Sequence, residues 1–374
     1  TDRFLVMVLC PHAPGAKRRE VMEGVEVRRY RYAPESWETL VNGGGIVTNL
    51  KRARWKLLLV PGFVLSQAWA AWRLTRRERV DVIHAHWLIP QGLIAALLQW
   101  SPGRRVPYVV TSHGADLYAL KGRGLDAVKR FVARRASVAT VVSSAMRERL
   151  IALDVHVAHI QVLSMGVDLS GRFTPDATVP RSAHEILFVG RLVEKKGLRY
   201  LIDAMPQVLA QVPGAFLTIA GFGPEGGALK QQVRDLGLQT QVHFLGAVPQ
   251  AELPALYRRA ALVVAPFVQA ESGDQEGLPV ALMEAVACGC PVVAGDVAGI
   301  EDLLGRMKSE ICVDARDVNL LASRICDQLA DPSMALSRAR VVLEVAAQRV
   351  DWDRIAATYA RLIAEAGDVK QGWK

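Results

Sequence analysis

Two glutamates, Glu276 and Glu284, stand eight positions apart in "GDQEGLPVALMEAVACGCPVVAGD" (273–296). The first lies in a Gly/Pro-rich loop and the second inside an apolar run. Carboxylates so placed suit the recognition of hydroxyl groups. A glutamate within "PVALMEAVACG" must find hydrogen-bond donors, because unpaired burial is costly, and a ribose diol offers two. Glu276, in the loop, could reach hydroxyls of a second sugar. A structural glutamate capping backbone amides fits the same letters. Pro279 as a first helical residue, with Gly289 and Pro291 as stop signals, predicts a helix over about 279–288 that carries Glu284 on its second turn.

A second constellation is "LFVGRLVEKKG" (187–197). A strand-like run ends at Gly190, and Arg191 and Lys196 follow five positions apart, ahead of a helix-like segment. A guanidinium fork, an ammonium and the N–H groups of a helix start suit a diphosphate; a solvated basic loop would carry the same residues. "IAGFGPEGGALK" (219–230) crowds Gly221 and Gly223 into a strand-to-helix turn, which permits close approach to a ligand or serves as a tight connection alone. In the first half, "HAHW" and "SHGAD" place His86, His113 and Asp116 where strands stop. There is no Asp-x-Asp triple and no His/Cys ligand spacing, so metal-independent chemistry is expected.

The elements that must hold these groups are legible as short apolar, β-branched runs, each followed by a helix-like segment. The strand candidates are 4–9, 25–31, 80–86, 107–113, 138–144 and 160–166, then 185–191, 215–221, 242–246, 261–267, 291–295 and 310–314. Runs apolar on both faces that alternate with helices predict α/β architecture with two doubly wound parallel sheets. They are separated near "FTPDATVPRSAHE" (173–185), a linker by composition. The expected organisation is 1–175, 183–350 and a terminal helix over 351–374 that crosses back to the first domain. Ligands on such sheets bind beyond the carboxyl ends of the strands, so a cleft between two facing rims is the expected site.

The chain has 374 residues, a size that favours two domains. Its net charge of +9 is uneven: residues 1–175 hold 26 Lys/Arg against 13 Asp/Glu, and the remainder 20 against 24. A basic first half favours anionic partners, and no nucleic-acid module accompanies it. The five cysteines form no CxxC pair and no regular framework, which suggests reduced thiols in the cytoplasm. No signal peptide is visible in the opening residues. The apolar stretch 57–72, broken by Pro61-Gly62, reads as too short to span a bilayer. Within 49–79, basic ends and Trp55, Trp69 and Trp72 flank that stretch, which suits a helix lying in a membrane interface; a core helix with basic ends is the alternative.

"FVGRLVEKKG", "IAGFGPE", "VHFLGAVPQAELPALYRRAALVVAPF" and "EGLPVALMEAVACGCPVVA" resemble the nucleotide-binding half of the retaining GT-B glycosyltransferases of family four, the group 1 glycosyltransferases. "DVIHAHWLIPQG", "VVTSHGADL" and "SMGVD" resemble its first half, so the likeness covers nearly the whole chain. It implies two Rossmann-like domains facing across a cleft. Sugar would pass from a UDP- or GDP-sugar to a hydroxyl of a glycan or lipid-linked acceptor, with retention. Arg191 and Lys196 would hold the diphosphate, Glu284 the ribose, and Glu276 would lie by the donor sugar. Gly190, Gly221, Gly223, Gly246, Gly277, Leu278 and Pro279 would line the donor pocket. His113 would stand at the reaction centre, with His86 and Asp116 on the acceptor side. The family's first β-loop-α unit has no visible counterpart, since "FLVMVL" resembles its second strand. That leaves open a nucleotide-binding protein without transferase activity, or an epimerase on the same fold.

Overall fold

The computed structural model describes residues 3–41, 46, 49–50, 53–100 and 105–368. In the first half, strands β1 (Met7–Pro11), β2 (Arg19–Met22) and β3 (Val25–Tyr30) form one sheet in the order β1-β3-β2. Strands β4 (Ile83–His86), β5 (Tyr108–Ser112), β6 (Val138–Val141) and β7 (Ile160–Val162) form a second sheet, parallel throughout, in that order. The expectation of one continuous parallel sheet here is corrected. Among the described residues the strands divide into two sheets, and β2, absent from the sequence reading, runs antiparallel to β3. The turn residues Glu23 and Gly24, both at positive φ, reverse the chain between them. β1 and β4 each pair along one edge only among the described strands.

The second half builds one six-stranded parallel sheet from β8 (Glu185–Val189), β9 (Phe216–Ala220), β10 (Val242–Gly246), β11 (Leu262–Ala265), β12 (Val292–Gly295) and β13 (Cys312–Val313). Its order is β10-β9-β8-β11-β12-β13, so the winding reverses between β8 and β11. β5, β6, β11 and β12 are buried at every residue, which is why they read as unbroken apolar runs. β13 is shorter than expected, because Glu310 and Ile311 finish the helical turn Lys308–Ile311.

Three helices bear on function. Leu59–Arg77 packs Leu59 and Phe63 against Tyr30, Tyr32 and Leu40. Pro61 does not break it, since it lies in the first turn, where its missing N–H costs nothing. The continuous helical stretch Arg54–Arg77 is in fact long and apolar enough, by length and composition, to cross a membrane, contrary to the sequence reading. Val280–Ala287 carries Glu284; Pro279 precedes it with extended backbone as its N-cap and is not its first helical residue. Trp352–Asp368 returns to the first half, where Leu362 and Ala366 bury Val109 and Val138.

The two halves share a core. One apolar cluster runs from Ala85 and Val141 through Leu278 and Leu282 to Val342 and Val350. Asp302 accepts hydrogen bonds from Ser144 N (2.5 Å) and Ser144 Oγ (2.9 Å), capping the helix Ser144–Ala152 from the other half.

Candidate active site

The carboxyl ends of β8 and β11 adjoin at the reversal of the winding, where a doubly wound sheet opens a crevice. Glycine lets the chain pack tightly there: a Cβ on Gly221 would lie 1.8 Å from the Gly190 carbonyl oxygen. Past β8 the chain makes the 3-10 turn Glu194–Lys196, ends it on Gly197 (φ +66°) and starts the helix Leu198–Gln211. That turn directs two lysines over the end of β11. Lys196 Nζ lies 3.1 Å from Glu276 Oε2 and 4.9 Å from the centre of the Phe267 ring. Lys195 Nζ lies 3.4 Å from Glu276 Oε1 and 3.2 Å from Asp274 Oδ2. Burial alone would raise the Glu276 carboxyl, but Lys196 and then Lys195 outweigh it and hold it below its ordinary range. Arg191 is exposed on the rim beside them.

Glu284 is buried on its helix. Tyr257 Oη donates to its Oε2 (2.9 Å) and Gln250 Nε2 to its Oε1 (2.7 Å). Burial raises its pKa, and these two hydrogen bonds partly offset the rise. Each carboxylate oxygen still has acceptor capacity for a further donor. Among the glycines singled out, Gly221 N donates to the Gly246 carbonyl at 2.7 Å. A Cβ on Gly223 would lie 2.4 Å from the Leu192 carbonyl oxygen. Leu278 and Pro279 are buried where the loop enters the helix.

Across the cleft, His86 ends β4 and His113 follows β5. Their rings stack with centres 5.2 Å apart, and His86 Nδ1 lies 3.0 Å from His113 Nε2. Burial, and then the neighbouring His86, lower the His113 pKa to about 4, so the ring is neutral at pH 7. His84 is lowered to about 3 by burial and by the His86 and His113 charges. The two rims meet closely: a Cβ on Gly277 would lie 2.8 Å from Val142 Cγ2 and 3.1 Å from the His113 carbonyl oxygen. Only a glycine loop allows that approach.

Asp116 differs from the acceptor-side expectation. It is wholly buried, and its carboxylate accepts from Leu88 N (2.7 Å) and Ser112 Oγ (2.8 Å). It braces the turn that carries His113 and does not face the cleft. Conversely, Lys195 contacts Glu276, and Gln250 and Tyr257 contact Glu284, without being among the anticipated site residues, and Asp274 pairs with Lys195. The doublet "KK" signalled Lys195, whereas nothing local marks Gln250 or Tyr257, which reach Glu284 through tertiary packing. Among the described residues no group of three His, Cys, Asp or Glu side chains could hold a metal ion.

Comparison with known proteins follows the same division of the chain. Residues 3–166 match the family described as "Glycosyl transferase 4-like domain", and residues 183–331 match "Glycosyl transferases group 1". The GDP-mannose-dependent alpha-(1-6)-phosphatidylinositol monomannoside mannosyltransferase of Mycolicibacterium smegmatis is 30% identical over 313 residues, 80% of this chain and 80% of that protein. A glycogen synthase of Mycobacterium tuberculosis is 31% identical over 301 residues, 78% of this chain and 70% of that protein. Sucrose-phosphate synthase from Thermosynechococcus elongatus superposes with a TM-score of 0.76 at 21% identity, covering 96% of this chain and 88% of that one; at that identity the likeness concerns the fold.

Proposed function

The chain belongs to the group 1 glycosyltransferases, with the GT-B fold of two facing α/β domains, and from that premise we propose that it transfers a sugar, with retention, from a nucleoside-diphosphate donor to a hydroxyl of a glycan or lipid-linked acceptor. Its relatives serve glycolipid and polysaccharide synthesis and are transferases, not epimerases. The observation that carries the reading is the convergence of Lys195, Lys196 and Glu276 at the β8/β11 crevice, facing the His113–Gly114 turn across a glycine contact.

In this reading Arg191 and Lys196 bind the diphosphate and offset the charge that develops as the glycosidic bond breaks. The departing phosphate oxygen takes the proton of the acceptor hydroxyl as that hydroxyl attacks the same face of the sugar. Donor binding draws Lys196 from Glu276 toward phosphate and frees the Glu276 carboxylate for sugar hydroxyls. Glu284 accepts from the ribose diol while Tyr257 and Gln250 orient its carboxyl group. Neutral His113 has one N–H donor and one acceptor nitrogen. His86 holds its Nε2, and its Nδ1, against Met165 Sδ in this structure, turns to the reacting sugar without adding charge. The lysines and Arg191 supply the positive charge, so the reaction proceeds without a metal. The five cysteines are free thiols, which supports a cytoplasmic location. Peripheral contact with the inner membrane face through 49–79 would bring the cleft to a lipid-linked acceptor. Among the described strands β1 and β4 each pair along one edge only, which supports the reading that the family's first β-loop-α unit has no counterpart in this sequence.

The test is calorimetric titration with GDP and UDP, then turnover of the matching nucleotide sugars with the anomeric configuration of the product read by NMR. Binding without turnover in any sugar series overturns the transferase reading. An inverted product removes retention alone, and activity lost to a chelator and restored by a divalent ion removes metal independence.

A further inference from the structure

Away from the cleft, a cavity of about 740 Å³ lies between the helix Leu59–Arg77 and the sheet β1-β3-β2. Seven arginines line it against one acid, Glu78: five come from residues 18–31, and Arg73 and Arg77 from the helix. Arg19, Arg28, Arg29 and Arg31 are ion-paired with glutamates. Arg18, Arg73 and Arg77 line the cavity with no carboxylate within salt-bridge distance among the described residues.

Beside the cavity the helix turns an apolar stripe outward. Leu58, Leu65, Trp69 and Trp72 fall on one face and are 81, 69, 56 and 40% exposed, while Leu59 and Phe63 are buried on the other side. Trp37 and Trp55, the latter in the turn just ahead of the helix, are also exposed and pack edge-to-face at 6.1 Å. The Arg73 and Arg76 guanidiniums lie 5.1 and 5.4 Å from the Trp69 and Trp72 ring centres, which keeps charge at the border of the stripe. A helix packed on protein along one face, apolar along the other and ending in arginines is the pattern of an interfacial helix, and tryptophan beside arginine suits the headgroup level.

We propose that this face docks on a bilayer bearing anionic phospholipids. The Leu58–Trp72 stripe enters the acyl boundary, and the arginine-lined cavity takes the headgroup phosphates. The inference rests on the membrane side of the reading above and gives it a surface. The cleft chemistry stands or falls separately.

The test is flotation of the full chain with phosphatidylcholine vesicles with and without phosphatidylglycerol, together with quenching of tryptophan emission by brominated acyl chains. The wild type should float with the anionic vesicles, less as salt rises, and should be quenched. Arg73→Glu/Arg77→Glu should weaken binding at least about tenfold, and Trp69→Ser/Trp72→Ser should remove most of the quenching. Nucleoside-diphosphate binding reports that each variant is folded. Should the charge reversal fail to fold, Arg77→Gln and the wild-type salt titration decide. Absent flotation, equal binding to neutral vesicles, unaltered binding by the arginine variants, or preference for a soluble polyphosphate over the bilayer each overturns the proposal. A chain that floats as expected yet transfers no sugar leaves this inference intact and removes the transferase reading.

Discussion

At the residue scale, Lys196 and Glu276 form an ion pair at 3.1 Å, so under the proposed reading each substitution has two effects. Lys196→Ala should lower kcat by roughly 10²–10³ through loss of transition-state charge stabilisation, with a smaller change in KM, measured by steady-state donor turnover. Glu284→Ala should weaken nucleoside-diphosphate binding by about one to two orders of magnitude, the worth of hydrogen bonds to a charged group. It also leaves the buried Tyr257 hydroxyl without its acceptor, at a cost of about 1–3 kcal/mol in stability. Calorimetry and thermal melting separate the two, and unchanged nucleotide binding would contradict the ribose role. The histidines make a pH prediction. Their folded pKa values, about 4 for His113 and about 3 for His84, lie below the ordinary 6.5. The unfolded chain therefore takes up protons first as the pH falls. Their contribution to stability is full above about 6.5 and is lost as the pH drops through about 4 for His113 and about 3 for His84. Activity should show no ionisation of His113 between roughly pH 5.5 and 8; a limb near 6.5 that vanishes in His113→Asn would refute its neutral state.

At the element scale, close packing of loops sets the geometry. Gly277→Ala would press a methyl group into Val142 and Met146. It should widen the cleft and depress kcat while GDP or UDP binding, assigned to Arg191, Lys196 and Glu284 in the proposed reading, changes little. Equal loss of both would mean that the loop serves nucleotide binding directly. Elements were also the most legible level of the sequence. Each strand foreseen from an apolar run exists; β5, β6, β11 and β12, buried throughout, leave the clearest signature, while β1, β7 and β10 are partly exposed. β2 was missed because "REVM" is short, only half apolar and largely exposed at an edge. Pro61 was misread because a proline's effect depends on its position in the helix, which letters alone do not reveal. Asp116 was placed on the acceptor-side rim through the family resemblance; its burial is tertiary, since its backbone partner at Leu88 comes from a segment 28 residues away. Gln250 and Tyr257 carried no local mark for the same reason: their meaning is tertiary.

At the scale of the whole molecule, the halves are joined by the shared core and by Asp302 capping the helix Ser144–Ala152. Asp302→Ala should cost about 1 kcal/mol, as for loss of an N-cap, and should raise the donor KM because the contact joins the two halves that form the cleft. Thermal unfolding and donor saturation measure the two effects. A stability loss with an unaltered KM would show that the cap is structural only.

The helix Trp352–Asp368 seals Val109 and Val138, residues translated more than two hundred positions earlier. Because a ribosome releases the chain from its amino end, the β5–β6 layer must wait, greasy and uncovered, until the last helix emerges. Fusion partners or stop codons near the carboxyl terminus thus bear on maturation of the opposite half, and nascent chains halted before residue 352 should hold onto chaperones that the finished protein lets go.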